Sequence, residues 1–244
     1  MIFETRGIVL KTLKYGETSL IAHIFTELFG IQAYLINGIR KPGKGSSANS
    51  MLQPASLLDM NVYHYELKNL QRIKDFRWSF LYNQVLSDIT KNAVAMYMVE
   101  LIYKCLKQPE PNPDLFHFCE DAFTHLDSAT PAITANYPLF FCLHLAHFFG
   151  FRLQDNYNSN TNMLDLQEGA FTHTPPAHGN FLESHSARAV SQILKAQTPQ
   201  ELEQIKLNKT IRKDVLNLMQ YYYAFHIQDF GTMKTLPVVQ TILS

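Results

Sequence analysis

Apolar and polar positions alternate along the first 80 residues of the chain, and turn residues interrupt the alternation at short intervals. Glycines such as Gly16 and Gly30 begin or end the alternating runs, which is typical of short strands joined by turns. A sheet this small has exposed edges unless it closes on itself. The pattern therefore predicts a five-stranded barrel, with strands at residues 7–16, 19–26, 30–39, 57–66 and 70–78.

After Ser79 the apolar residues recur every three or four positions, which predicts helices that bury one face. Asp114 and Thr130 are expected to be N-caps, and Gly150 is expected to end a helix. Long helices are predicted at residues 88–107, 114–128, 135–150 and 210–227, with shorter helical segments at 185–196 and 199–206.

Residues 155–180 are rich in Asn, Thr and Pro and have no sustained period. We expect an irregular segment there, with one hairpin around Gln167, Glu168 and Gly169. Together these patterns predict a mixed α+β protein. Its barrel domain would occupy residues 1–79 and its helical domain residues 80–244, with an irregular insertion at about 155–183.

The composition is that of an ordinary folded protein, since 46% of the 244 residues are hydrophobic and 17% are charged. The three cysteines are widely spaced and form no metal or redox motif, and the first residues lack the pattern of a signal peptide. The most apolar segment, residues 138–151, is shorter than the roughly 20 residues that cross a bilayer. We therefore expect a cytoplasmic protein with no membrane partner.

The charge is distributed unevenly, although the chain has 21 basic and 21 acidic residues overall. Residues 1–80 have ten basic against six acidic residues, a net charge of +4, whereas residues 81–244 have 11 against 15, a net charge of −4. A basic barrel favours an anionic polymer as its partner, because Lys and Arg contacts with phosphates release counterions.

The most concentrated positive charge lies in NGIRKPGKGSS, residues 37–47, where Arg40, Lys41 and Lys44 have no acidic neighbour. Any solvent-exposed turn uses Gly, Pro, Ser and Lys, so a plain solvated loop is one interpretation. The other is nucleic-acid contact, because the segment lies between two predicted barrel strands, where oligonucleotide-binding barrels place their binding loops.

Further basic residues lie on the first and last predicted strands, where they would either line the same groove or keep a half-buried sheet soluble. Tyr15, Phe76 and Trp78 are neighbours suited to base stacking. A separate cluster at a predicted helix start would contact DNA or a partner protein, or face water. The strand candidates are Lys11, Lys14, Arg72, Lys74 and Arg77, and the helix candidates are Lys209, Arg212 and Lys213.

Catalytic motifs are not found in the sequence: there is no G-x-S-x-G elbow, no Walker loop and no paired carboxylates at a defined spacing. GIRKPGKGS differs from a phosphate-binding loop because Gly45 follows Lys44, where that motif needs Ser or Thr, and because no helix is predicted to follow. His173, His178 and His185 do not have a recognised metal-ligand spacing, so no metal site is expected, although a metal-dependent hydrolase built on the histidines stays an alternative class.

Five landmarks occur in order over about 60 residues: G-I-V-L-K from Gly7, Y-G-E-T from Tyr15, F-T-E-x-x-G from Phe25, G-x-R-K from Gly38 and L-Q-P from Leu52. This series resembles the N-terminal pattern of the RecO family of bacterial recombination and DNA-repair mediators. The helical half is similar more loosely, mainly in the closing segment, residues 222–236.

The resemblance implies an N-terminal oligonucleotide-binding (OB) barrel, a helical C-terminal domain and a role that is not enzymatic and needs no cofactor. It implies binding of single- and double-stranded DNA, strand annealing, and loading of the RecA recombinase together with RecR and the C-terminal tail of the single-stranded-DNA-binding protein. A nucleoid-associated cytoplasmic location follows. By position, Arg40, Lys41 and Lys44 fall in the family's DNA-contacting loop, and Lys11 is the lysine of its first strand.

One departure from the family pattern concerns zinc. Many members have a four-cysteine zinc site at about the place of residues 155–185, where this chain has no cysteine. It is therefore expected to be similar to the members without zinc. The alternative to DNA repair is an OB-fold module that binds RNA or associates with ribosomes, since such a module would use the same basic segment.

Overall fold

The structure is a computed structural model that describes residues 1–39 and 49–243, which form two compact units. The barrel unit contains Met1–Asn83 and Ile102–Thr124. The helical unit contains Gln84–Leu101 and the chain from His125 onward. The linear division into residues 1–79 and 80–244 stays a prediction.

Five strands form a closed barrel in the order β1-β2-β3-β5-β4, with every neighbouring pair antiparallel except β3 and β5. The barrel followed by helices confirms the predicted α+β class and the OB fold. The first strand begins earlier than predicted. The strands are β1 (Ile2–Tyr15), β2 (Ser19–Thr26), β3 (Gly30–Ile36), β4 (Leu57–Tyr63) and β5 (Leu70–Phe80).

The barrel closes because β1 is long enough to pair with two neighbours. Its first half pairs with β4 and its second half with β2, and the register shifts between Val9 and Lys11. Such an irregularity bends a strand and increases its twist, as closure of a small barrel requires. Inward positions alternate with outward ones, so the core is filled by buried apolar residues that include Val9, Ile24, Tyr34, Leu58, Met60 and Val62.

Arg6 on β1 connects the barrel to Glu120, which lies on a helix in the segment Ile102–Thr124 of the same unit. Its guanidinium forms a two-pronged ion pair with Glu27, at 3.0 and 3.1 Å, and a further hydrogen bond to Glu120 at 2.5 Å. The hydrogen bond from Arg6 lowers the pKa of Glu27, and burial raises the pKa of Glu120. These contacts hold Glu120, and with it the segment Ile102–Thr124, against the barrel.

Gly30 is required where β3 begins. Its φ of +63° is in the left-handed region, and a Cβ at this position would lie 2.3 Å from the carbonyl oxygen of Glu110. Only glycine avoids both the backbone strain and this contact.

The helices agree with the predicted long segments. Thr130 caps the third helix by accepting a hydrogen bond from the Ile133 amide at 3.3 Å, and Gly150 ends the following 3-10 turn at a φ of 82°. The helices are α1 (Ile89–Cys105), α2 (Pro113–Ser128), α3 (Pro131–Leu145), α4 (Ser184–Lys195), α5 (Lys209–His226) and α6 (Leu236–Ile242), with 3-10 segments at Ala146–Phe149 and Pro199–Gln204.

Two expectations about the helices were wrong or incomplete. The N-cap of α2 is Asn112, whose side chain accepts a hydrogen bond from the Leu115 amide at 3.0 Å, and Asp114 lies inside the first turn. Pro113 starts the helix one residue earlier than predicted. Proline is tolerated at this position because the first residues of a helix have no intrahelical acceptor for their N–H groups. Helix α6 was not predicted.

A buried polar cluster joins the start of α1 to the end of α2 within the helical unit. Asp127 accepts hydrogen bonds from the amides of Gln84 and Val85, each at 2.8 Å. Lys91 is also buried, and its Nζ donates to the Asp127 carbonyl at 2.7 Å and to Gln84 Oε1 at 2.6 Å. These bonds compensate the cost of removing two charged groups from water.

The predicted irregular segment contains a small three-stranded sheet in the order β7-β6-β8. Strands β6 (Met163–Asp165) and β7 (Ala170–Thr172) pair across Leu166–Gly169, which confirms the hairpin expected around Gly169. Strand β8 comprises Phe181–Leu182. Within the described ranges, none of the helices has the length and apolar character that crossing a membrane requires.

Candidate nucleic-acid interface

The basic segment that motivated the nucleic-acid hypothesis falls mostly outside the described residues, and this applies to Arg40, Lys41 and Lys44. The residues that precede it are described. Asn37, Gly38 and Ile39 follow β3 and form part of the wall of a cavity at the end of that strand.

This cavity, which we call the β3–β5 groove, has a volume of about 520 Å³ and is lined by residues 35–39, Tyr63, Arg72, Ile73, Lys74 and Phe76. The barrel topology creates it, because β3 runs parallel to β5 and Leu35 lies opposite Arg72, while Tyr63 of β4 faces Arg72 from the other side. The groove therefore collects residues from β3 and from the consecutive strands β4 and β5.

Arg72 and Lys74 are the exposed cations of the groove, and Tyr63 and Phe76 are half-buried rings beside them. Cations next to accessible rings are the combination by which proteins hold phosphates while stacking on bases. The structure thus brings together two of the strand candidates, Arg72 and Lys74, with the aromatic neighbour Phe76. Phe76 and Trp78 both pack against the barrel core, and of the two Phe76 also lines the groove.

Lys14 lies at the same end of the barrel as the groove without lining it. Its partner in the β1–β2 register is Leu20, which in turn pairs with Ile36 of β3. The Ser19 hydroxyl donates to Asn37 Oδ1 at 3.1 Å and so ties the β1–β2 hairpin to the groove wall. Lys14 is exposed, as is the neighbouring Tyr15.

Lys11 has a different environment. Its Nζ lies over the ring of Tyr103, 5.3 Å from the centroid, and Tyr103 also packs edge-on against His23 at 5.7 Å. Burial, and secondly the charge of Lys11, lowers the pKa of His23. The structure therefore separates Lys11 from the β3–β5 groove and places it beside a second aromatic cluster.

Arg77 is also separated from the other cations of β5. Its Nε donates to Asp59 Oδ2 at 3.2 Å, across the β4–β5 register. The small cavity that it lines also contains Glu4 and Asp75. These three carboxylates make the local potential less favourable for a phosphate than that of Arg72 and Lys74.

The helix candidates differ from one another. Lys209 and Lys213 are exposed at the start of α5. Arg212 is partly buried, and its guanidinium donates to the carbonyl oxygens of Leu207 at 2.6 Å and Leu243 at 3.3 Å. Burial lowers the pKa of Arg212. Arg212 therefore stabilises the chain around the helix start, and the two lysines face solvent.

The histidines of the irregular segment have hydrogen-bond partners within the protein. His173 contacts the Asn160 carbonyl at 2.8 Å, and His178 contacts the Asp165 carboxylate at 3.2 Å. In residues 1–39 and 49–243, no three His, Cys, Asp or Glu side chains are grouped so as to hold a metal ion.

Tyr63 is a residue of the groove that sequence reasoning missed. It lies inside a correctly predicted strand, but it has no charge to draw attention to it. The pairing of Tyr63 with Arg72 across β4 and β5 would have revealed it.

A closed five-stranded barrel followed by a helical unit places the protein in the OB-fold class. The family described as Recombination protein O N terminal matches residues 1–82, and the one described as Recombination protein O C terminal matches residues 86–235. The chain belongs to the RecO family.

Curated relatives are similar over their full length. Proteins named DNA repair protein RecO from Christiangramia forsetii and Porphyromonas gingivalis are each 28% identical over 242 and 245 residues, with 99% of both chains covered. The protein of the same name from Phocaeicola vulgatus is 26% identical over 244 residues, with 100% of both chains covered.

Proposed function

We propose that this chain acts in DNA repair and that its barrel binds DNA through the β3–β5 groove and the basic segment that begins after Ile39. Membership of the RecO family supports the repair role, since full-length relatives have the name DNA repair protein. We infer the binding site from one observation: Arg72 and Lys74 line the same open groove as Tyr63 and Phe76.

Binding in this groove is mainly electrostatic. The guanidinium of Arg72 and the ammonium of Lys74 neutralise phosphates and release their counterions, which gives affinity without reading sequence. Tyr63 and Phe76 offer ring faces to sugars and bases, and a ring accepts any base. The sequence places Arg40 directly after Ile39, so we propose that Arg40, Lys41 and Lys44 continue this cationic path.

The remaining candidates have secondary roles in the proposal. Lys14 extends the path at the tip of the β1–β2 hairpin, and Lys11 contacts the strand from the neighbouring aromatic cluster. Arg77 contributes less, because Asp59 already neutralises it. Lys209 and Lys213 are exposed and are proposed to contact DNA or a partner protein.

The same positively charged surface would also promote the annealing of complementary DNA strands. Two strands held on one basic surface repel each other less and meet at a higher local concentration, so no covalent chemistry is needed. We further propose, as the resemblance implies, that the protein works with RecR and the tail of the single-stranded-DNA-binding protein to load RecA.

The test is an annealing assay with complementary oligonucleotides, with and without the single-stranded-DNA-binding protein. The variant with Arg72→Ala and Lys74→Ala should slow annealing and weaken binding of single strands and duplexes alike, by about tenfold. The matched control removes two exposed arginines of the helical unit, Arg152→Ala and Arg188→Ala, and keeps the wild-type rate.

Two results would contradict the proposal. Wild-type protein that fails to accelerate annealing under either condition would remove the mediator role. Groove variants that bind DNA as tightly as the wild type would remove the groove. An RNA oligonucleotide of the same sequence is measured in parallel, and a clear preference for RNA would favour the RNA-binding alternative.

A further inference from the structure

The solvent-facing side of α5, in the helical unit, carries a row of large apolar side chains. Tyr221 and Phe225 are 63% and 53% exposed, and Ile211 and Leu218 are partly exposed. A folded protein rarely exposes several large apolar side chains side by side unless they meet a partner. We call this surface the α5 seam, and its residues are Ile211, Asp214, Leu218, Tyr221 and Phe225.

The spacing of the α5 seam is that of a coiled coil. Its five residues are separated by three, four, three and four positions, which is the heptad repeat that holds one helix against another. Another side of α5 already packs in the core of the helical unit. α5 is therefore apolar on two sides, one buried in its own chain and one facing solvent. The residues on the buried side are Val215, Leu216, Met219, Tyr222 and Tyr223.

The charges at the two ends of α5 determine which direction of a second helix fits. Lys209 and Lys213 are exposed near its start, and its first turn has no acidic residue. Cations are unfavourable at a helix N-terminus, because the helix dipole is positive there. The C-terminal end has the negative end of the dipole and is followed by the exposed Asp229. An antiparallel helix with the same charges would therefore bring its negative end beside the two lysines.

A second copy of α5 matches both the seam and the charges. Two antiparallel copies can place Leu218 of one level with Tyr221 of the other, and the two-fold axis repeats that contact, so four apolar side chains meet at the centre. Asp214 then lies level with Phe225 of the second copy, and Lys213 lies level with the last residue of that copy's helix. One polar residue in such a seam specifies the register at some cost in stability. The surface is thus complementary to itself, as a two-fold symmetric interface requires.

We propose that the α5 seam is a homodimer interface, in which the α5 helices of two copies pack antiparallel. Two rings and two aliphatic side chains per copy make an interface smaller than the roughly 1,200–2,000 Å² of stable complexes, so the dimer forms only at high protein concentration. Each copy contributes one barrel, so a dimer holds two DNA strands, as annealing requires. That last consequence alone rests on the proposed function.

Sedimentation velocity of the full chain without DNA tests the interface. The wild type should change from monomer to dimer between about 1 and about 100 μM. Tyr221→Glu with Phe225→Glu places like charges on both copies of the seam and should weaken the association by at least about tenfold. The matched control is Ile89→Glu with Val238→Glu, which removes two exposed apolar side chains of the same unit outside the seam and should associate as the wild type does. Circular dichroism verifies that each variant is folded.

Engineered disulfides test the antiparallel register. Leu218→Cys and Tyr221→Cys should cross-link to each other when the two variants are mixed under mild oxidation, because these positions are level in the dimer. Each variant alone should form little dimer, since the identical cysteines are offset by about 4.5 Å along the helix axis. The native cysteines are buried and contribute little background, and they are Cys105, Cys119 and Cys142.

Three results would overturn the proposal. The first is a wild type that stays monomeric up to about 100 μM, including the case in which the seam binds a different protein instead. The second is an association that the control variant loses as much as the seam variant does. The third is a disulfide that forms within each cysteine variant alone as readily as in the mixture. Because the association is measured without DNA, none of these results affects the proposed DNA binding, and a failure of annealing leaves the dimer intact.

Discussion

Replacing Asp127 by alanine tests whether the buried polar cluster stabilises the helical unit. Asp127 is 4% exposed and accepts two backbone hydrogen bonds at 2.8 Å, from Gln84 and from the fully buried Val85. Hydrogen bonds to a charged acceptor contribute about 1.5–3 kcal/mol each. Loss of both, partly offset by removal of a buried carboxylate, should lower the free energy of unfolding by about 3–4 kcal/mol.

Asparagine at position 127 gives a graded comparison. It keeps an oxygen acceptor without the charge, so Asp127→Asn should lower the free energy of unfolding by about half as much as Asp127→Ala. The matched control is Asp214→Ala, which removes an exposed acid from α5 of the same unit and should change stability by about 0.5 kcal/mol or less.

Urea denaturation followed by circular dichroism at the helix band measures these differences. With an m value of about 2 kcal/mol/M, Asp127→Ala should lower the midpoint by about 1.5–2 M. The single tryptophan, Trp78, packs against the barrel core and reports on the barrel separately by its fluorescence. An alanine variant that loses less than about 1 kcal/mol, or an asparagine variant equal to it, would refute the reasoning.

Three further predictions concern the backbone, pH and charge. Gly30→Ala should destabilise the barrel by about 3 kcal/mol in a urea titration followed by Trp78 fluorescence. Gly16→Ala has a similar φ of +59° but open space around it, so it should cost only about 1 kcal/mol. Equal losses would contradict the steric contact between a Cβ at position 30 and the Glu110 carbonyl. Burial lowers the pKa of His144 from its ordinary value of 6.5. Below pH 6.5 the unfolded chain therefore binds more protons than the folded protein does. The free energy of unfolding is then expected to decline as the pH falls below 6.5. His144→Gln should flatten this decline in urea midpoints, and an unchanged pH dependence would contradict it. Arg77→Ala should weaken DNA binding in an anisotropy titration less than Arg72→Ala does, because Asp59 already pairs with Arg77; an equal loss would show that the ion pair opens on binding.

Local patterns were sufficient for the elements and the class of fold. The five strands and the main helices follow from alternation, period and turn residues, and the hairpin around Gly169 follows from its glycine, whose φ is +67°. Helix α6 was missed because LPVVQTI is rich in β-branched residues, which favour strands. Tertiary contacts decide there: the Glu100 carboxylate accepts hydrogen bonds from the amides of Lys234 and Thr235, at 2.9 and 2.8 Å, just before the helix.

The candidate sites depended on contacts between distant parts of the chain. The sequence identifies Arg72, Lys74 and Arg77 as equivalent cations, but only the β4–β5 register pairs Arg77 with Asp59. The parallel pairing of β3 with β5 creates the groove, and no hydrophobic period encodes that pairing. Which of the basic residues contact DNA, including Arg40, Lys41 and Lys44, stays a prediction.

The dependence of DNA affinity on salt tests the central claim most directly. For single strands, the slope of log affinity against log salt concentration changes by about 0.7 for each phosphate neutralised. The variant with Arg72→Ala and Lys74→Ala should therefore have a slope shallower than the wild type by about 1.4, whatever the sequence of the oligonucleotide. A slope equal to that of the wild type would contradict the claim that the β3–β5 groove binds the phosphates of DNA.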